Sequence, residues 1–221
     1  MGSSTILDII TSVVISGFLL LSALRLNDQA NETSILYNTN LTLQENMTGL
    51  TSLLEHDFRR LGYCSDYTKI PDPSQAIREA DTSSIRFMID LDKDKDIDSL
   101  MYWVGPTSEM SSTVNPRDRV LYRRVCITNA DGTVTKTTER LEMGVTQFRM
   151  KYFGVLGDTL TSPVAQPNAI NTMEISVQIE SFAPFDVRYD AAQVDTTTGV
   201  HADFQMYWRQ IRLAARNLRN R

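Results

Sequence analysis

Apolar residues follow three successive patterns along the chain. Residues 6–26, ILDIITSVVISGFLLLSALRL, form a nearly unbroken apolar run, interrupted by one carboxylate, Asp8, and one cation, Arg25. A helix over this run spans about 30 Å, the hydrocarbon thickness of a bilayer, so the pattern predicts a membrane-spanning helix. Beyond it, Leu36, Leu43, Met47, Leu50, Leu54, Phe58 and Leu61 recur in steps of three, four or seven, which places them on one helical face. No proline precedes Pro71, and Gly62 supplies a stop, because a left-handed residue after the last turn costs glycine little. A helix from about Thr5 to Leu61 would be about 85 Å long. The Asn- and Thr-rich stretch 27–42 predicts a break or kink, since these side chains compete for backbone hydrogen bonds.

After Gly62 the period becomes two. Residues 84–90, 100–104, 120–128, 133–138, 145–153, 173–181 and 204–214 alternate apolar and polar positions, are rich in Val, Ile, Tyr and Phe, and are bounded by Asp, Gly, Pro and Asn. Asn129-Ala-Asp-Gly132 reads as a hairpin turn. The expected fold class is α+β, a long N-terminal helix packed on an antiparallel sheet. It divides into a transmembrane or assembly helix (1–26), its amphipathic continuation (27–62) and a β-rich globular head (63–221) of a size for one compact domain.

Composition adds mostly exclusions. With 22 basic and 27 acidic side chains, the net charge of −5 argues against general nucleic-acid binding. The two histidines, His56 and His201, lack metal-ligand spacing, and no nucleophile elbow, phosphate loop or Cys-x-x-Cys occurs, so no enzyme is indicated. The run DLDKDKDID clusters Asp90, Asp92, Asp94, Asp96 and Asp98, carboxylates that suit a hard cation such as calcium. It departs from the EF-hand pattern. Counted from Asp92, Ile97 stands at the glycine position and Trp103 at the terminal glutamate position, and Lys93 and Lys95 partly neutralise the charge. A solvated hairpin turn is the other reading. Arg209, Arg212, Arg216, Arg219 and Arg221 suit either a basic amphipathic helix or a strand with its arginines in solvent.

The order of these elements resembles the type IV pilin superfamily, and within it the J-type minor pseudopilins of type II secretion and the W-type minor pilins. The resemblance rests on Leu53-Leu-Glu-His-Asp-Phe-Arg-Arg-Leu-Gly-Tyr63 at the end of the long helix and on the hairpin 85–103 with its Asp-rich turn and Tyr-Trp ending. It also rests on Leu121-Tyr-Arg123, the strand 145–152, and the closing segment 212–217. Thr5-Ile-Leu-Asp8 resembles the family's Thr-Leu-Ile-Glu, with Asp8 in the glutamate's place. Departures lie around it: no basic leader precedes, Ser4 stands where the family has a methylated aromatic, and Gly2 is out of register for the cleavage-site glycine.

The resemblance implies a non-enzymatic structural subunit whose N-terminal helix packs with other pilin or pseudopilin subunits through Asp8, Ile9, Val13, Phe18 and Leu20. Asp8 would pair with the N-terminal ammonium of a neighbour, fixing register more than adding stability. The implied setting is the bacterial inner membrane, crossed once, with the head outside the cytoplasm. The subunit would meet an inner-membrane assembly platform and enter a periplasmic or extracellular filament, at initiation or at the tip. Because such compartments are oxidising, Cys64 and Cys126 form either a disulfide or two separate thiols. The alternative function is a single-pass surface binding protein, calcium-dependent and outside any filament.

Overall fold

A computed structural model describes residues 2–66, 68–70, 72–182, 184 and 204–214. Among these residues, helix α1, Gly2–Arg59, is followed by eight strands: β1 Ile77–Ala80, β2 Ser84–Ile89, β3 Asp98–Val104, β4 Arg119–Thr128, β5 Val134–Phe153, β6 Thr159–Leu160, β7 Thr172–Glu180 and β8 Met206–Ala214. The chain forms two compact units, Met1–Leu41 and Thr42–Arg221.

In the first unit the helix runs unbroken, including the stretch where a break was expected. Part of the reason is local. Thr33 turns its hydroxyl back onto the carbonyl of Gln29 (2.8 Å) and Thr11 onto that of Leu7 (2.7 Å), so neither competes with the backbone ladder.

In the second unit, Leu43, Met47, Leu50, Leu54, Phe58 and Leu61 are buried, the face that the three-and-four spacing predicts. They pack on one side of a single antiparallel sheet of order β1-β2-β3-β4-β5-β7-β8, with β6 paired to β5. Alternation supplies the other half of the core: Met173, Ile175, Val177 and Ile179 of β7, and Ile85, Phe87 and Ile89 of β2, are all buried. Phe58 lies 5.2 Å from the Phe87 ring and 5.6 Å from that of Tyr102, joining helix to sheet. Gly62, at φ 72°, ends the helical segment, and its N–H donates to the carbonyl of Met88 (2.9 Å).

Three elements differ from the expected pattern. Strand β1 was not anticipated, because IREA is short and carries two charges. Segments 133–138 and 145–153 are parts of one strand, β5, whose first half pairs with β4 and second half with β7. The transfer occurs at Gly144, whose φ of 73° permits a bulge, and the register to β7 shifts between Val145 and Gln147. The last strand begins at Met206. The Asn129–Gly132 turn forms as expected, with Gly132 at φ 81° and its N–H donating to the Asn129 carbonyl (2.8 Å).

Candidate functional site

Asp8, Ile9, Val13, Phe18 and Leu20 all lie on α1 with exposed side chains. At about 100° per residue, Ile9, Val13 and Leu20 share one face and Phe18 lies opposite, so the five residues surround the helix. The helix is long and apolar enough to cross a membrane, and none of its apolar window is buried within the chain. It is a candidate membrane anchor.

The Asp-rich turn joins β2 to β3, and it is less uniform than its sequence. Asp90 closes β2 and Asp98 opens β3, paired opposite Ile89, so both carboxylates are buried while Asp92 and Asp94 stay in solvent. Asp98 is held from two sides: Thr128 N–H donates to Oδ1 and Leu91 N–H to Oδ2, both at 2.8 Å. Burial nevertheless pushes its carboxyl above the usual range, the two N–H groups opposing and Asp92 and Asp94 adding to the rise. Ser65 N–H donates to Asp90 Oδ2 (2.8 Å) and Asp90 N–H to the Tyr63 carbonyl (2.8 Å). Arg60 donates to the carbonyls of Asp90 and Leu91 at 2.8 and 3.0 Å. Lys69 pairs with Asp96. The turn is thus fastened to the segment that follows α1. Lys93 and Lys95 adopt left-handed φ of 67° and 78° with exposed side chains.

Cys64 and Cys126 are not bonded to each other. Of the two alternatives the structure has separate thiols, because the two residues belong to different sides of the sheet. Cys64 follows the helix and its thiol points to the Lys95 carbonyl (3.7 Å). Cys126 alternates with the inward Val125 and lies on the opposite face, beside Arg124 and Lys136. Arg209 and Arg212 are exposed on β8, with Arg212 over the Phe153 ring at 4.8 Å, so the amphipathic-helix reading does not hold there. Arg216, Arg219, Arg221 and His201 lie outside the described residues. His56 is exposed.

The structure adds two buried charge clusters that the sequence pattern does not single out. Asp57, fully buried, accepts from Tyr102 Oη at 2.6 Å and from Arg123 Nε at 2.7 Å, and Arg123 also reaches Glu139 at 3.1 Å. Burial alone would raise the Asp57 carboxyl, but the Arg123 and Tyr102 hydrogen bonds hold it below the ordinary carboxylate value. A signal existed. Asp57 occupies the place in the apolar stripe seven residues after Leu50, and Arg123 lies between the inward Leu121 and Val125. The cluster clamps helix to sheet.

The second cluster surrounds Glu180, which is paired with Arg117 at 2.8 Å and accepts from Asn115 at 3.0 Å. Nearby Asp118 has both oxygens buried without a hydrogen bond. Burial pushes its carboxyl up to about 6, with Glu180 adding to the rise and Arg117 opposing it. A group that binds its proton more tightly when folded loses stability as pH rises, here from about 4 to above 6. Asp118→Asn is therefore expected to gain about 2 kcal/mol over the wild type at pH 7 and to converge with it near pH 4. Urea denaturation at the two pH values measures this, and parallel offsets at both would refute it.

The fold is similar to that of a type IV-like pilin from Thermus thermophilus, with 8% sequence identity and a TM-score of 0.48 over 80% of this chain and 98% of that one. No curated protein matches the sequence. The family described as prepilin peptidase-dependent protein B matches residues 37–206, well over half of the chain. Because that match covers the later part of the long helix and nearly all of the strands that follow, the chain belongs to the prepilin peptidase-dependent protein B family.

Proposed function

We propose that the protein is a minor pilin or pseudopilin, of the J or W type, that packs by its N-terminal helix into a type IV pilus or a type II secretion pseudopilus, at initiation or at the tip. It is anchored once in the bacterial inner membrane with its head outside the cytoplasm, and it meets an inner-membrane assembly platform. One observation carries the reading. Ile6, Ile9, Val13, Phe18 and Leu20 are each more than half exposed on the helix. Burying them in lipid or against like helices stabilises the assembled state by about 1.5 kcal/mol or more per side chain. Apolar contact sets the affinity, and Asp8, the lone carboxylate of the run, sets the axial register by pairing with a neighbouring ammonium.

The test is co-purification of the full-length protein and an Asp8→Ala variant from native membranes, with mass spectrometry of the partners. Other chains with pilin-like N-termini are expected with the wild type. They should fall about tenfold or more in the variant, because breaking a buried charge pair costs a few kcal/mol. Recovery of the protein alone from both preparations would overturn the filament reading in favour of a single-pass surface binding protein.

A further inference from the structure

We propose that the β2–β3 turn binds one calcium ion through the carboxylates of Asp90, Asp92 and Asp98. The site stands independently of the filament reading, because it belongs to the folded head alone.

Two observations carry it. The first is geometric: each of the three residues offers a carboxylate oxygen, and these oxygens lie within 4.8 Å of one another. Ligands held 2.3–2.6 Å from a common calcium ion can be at most about 5 Å apart, so the three oxygens fit one coordination shell. The second is a missing partner. Asp90 is fully buried, and while its Oδ2 accepts the Ser65 N–H, its Oδ1 is buried with no hydrogen-bond donor. A buried carboxylate oxygen without a partner is costly, and a cation removes that cost directly.

Among the described residues no side-chain cation takes this role. Lys69 is engaged with Asp96, Arg60 donates to main-chain carbonyls, and Lys93 and Lys95 have exposed side chains. Asp98 and Asp92 each use carboxylate oxygens to accept backbone N–H groups, and a carboxylate oxygen retains a second lone pair for a metal. The donor set is all oxygen, which selects a hard cation over zinc or copper. Three carboxylates on a turn, open to solvent at Asp92, suit the adaptable shell of calcium better than the strict octahedron of magnesium. The bound ion would also strengthen the attachment of the turn to the segment after α1, since Asp90 already accepts from Ser65 and donates to Tyr63.

The experiment uses full-length protein in detergent, stripped with a chelator, titrated with calcium chloride by calorimetry and followed by thermal unfolding. One saturable event per chain is expected, with a dissociation constant of about 1 mM or tighter, together with a rise in Tm that magnesium at equal concentration does not match. Asp92→Asn, an exposed change that leaves the core untouched, should weaken binding at least about tenfold. Asp94→Asn, outside the trio, should stay within about twofold of the wild type. Asp90→Asn should abolish the calcium-dependent rise in Tm while leaving the stripped protein no less stable. Absence of saturable heat and of any rise in Tm in folded wild type would overturn the proposal. So would equal losses in Asp92→Asn and Asp94→Asn, which would reveal only diffuse attraction to an acidic turn.

Discussion

Replacing Arg123 with alanine is expected to cost about 3–5 kcal/mol of folding stability, because it leaves the carboxylate of Asp57 buried without its counter-charge. Asp57 is fully buried, and its Oδ2 takes the Arg123 Nε at 2.7 Å. Tyr102 alone then remains as a strong donor to that oxygen. Lysine should recover only part of the loss, since Arg123 uses separate nitrogens on Asp57 and Glu139 and an ammonium cannot reproduce that fork. Denaturant titration of the three proteins measures the effect, and a loss below about 1 kcal/mol for the alanine variant would show the pair to be marginal. The pH dependence has a defined sign. Because the Asp57 carboxyl is held below its ordinary value when folded, its contribution is complete above about pH 4 and is lost as pH falls further. The variant should lack this acid limb. Asp118 acts in the opposite direction at higher pH, so the wild type is expected to be most stable between the two limbs.

Gly144→Ala is expected to be about as damaging, at about 3 kcal/mol or more. The residue has φ 73°, and a Cβ built there would approach the Glu180 carbonyl oxygen of the neighbouring strand far inside van der Waals contact. The left-handed conformation costs an L-residue about 1 kcal/mol, and overpacking against backbone adds about 1–3 kcal/mol, because a carbonyl in a ladder cannot rotate aside. Gly132 provides the control. It too has a positive φ, 81°, but a Cβ there meets nothing within 4 Å, so Gly132→Ala should lose only about 1 kcal/mol. Equal losses at the two positions would mean that backbone conformation alone, and not the close approach to Glu180, makes Gly144 necessary.

The helix and most strands could be read from the sequence because burial imposes a period on each. The stripe from Leu43 to Leu61 and the alternation of β2 and β7 are direct records of which side faces the core. The failures have equally physical causes. The charged stretch Glu139 to Glu142 hides the continuity of β5, since that half of the strand is mostly exposed and needs no apolar pattern. Asp57 and Arg123 look like surface charges in sequence, and only their joint placement on two inward faces makes them a clamp. At the Asp-rich turn, five aspartates read alike. The register Ile89 opposite Asp98 decides that the outer pair is buried and the middle ones are not. The cysteines show the same lesson, because which face Cys126 takes depends on strand parity relative to Val125.

The strand order has a consequence for how the head comes to be folded. Apart from β6, which pairs only with β5, every strand lies beside its neighbour in the chain, and every pairing is antiparallel. Among the described strands such a meander adds neighbours in chain order, with connections from three residues (β1 to β2) to 25 (β7 to β8), and because closure entropy grows only slowly with loop length, even the longest adds little to the cost. The helical stripe comes first in the chain and β8 last. During synthesis the apolar template is therefore already present when the first hairpin emerges, and each later strand finds both a partner and a surface waiting for it.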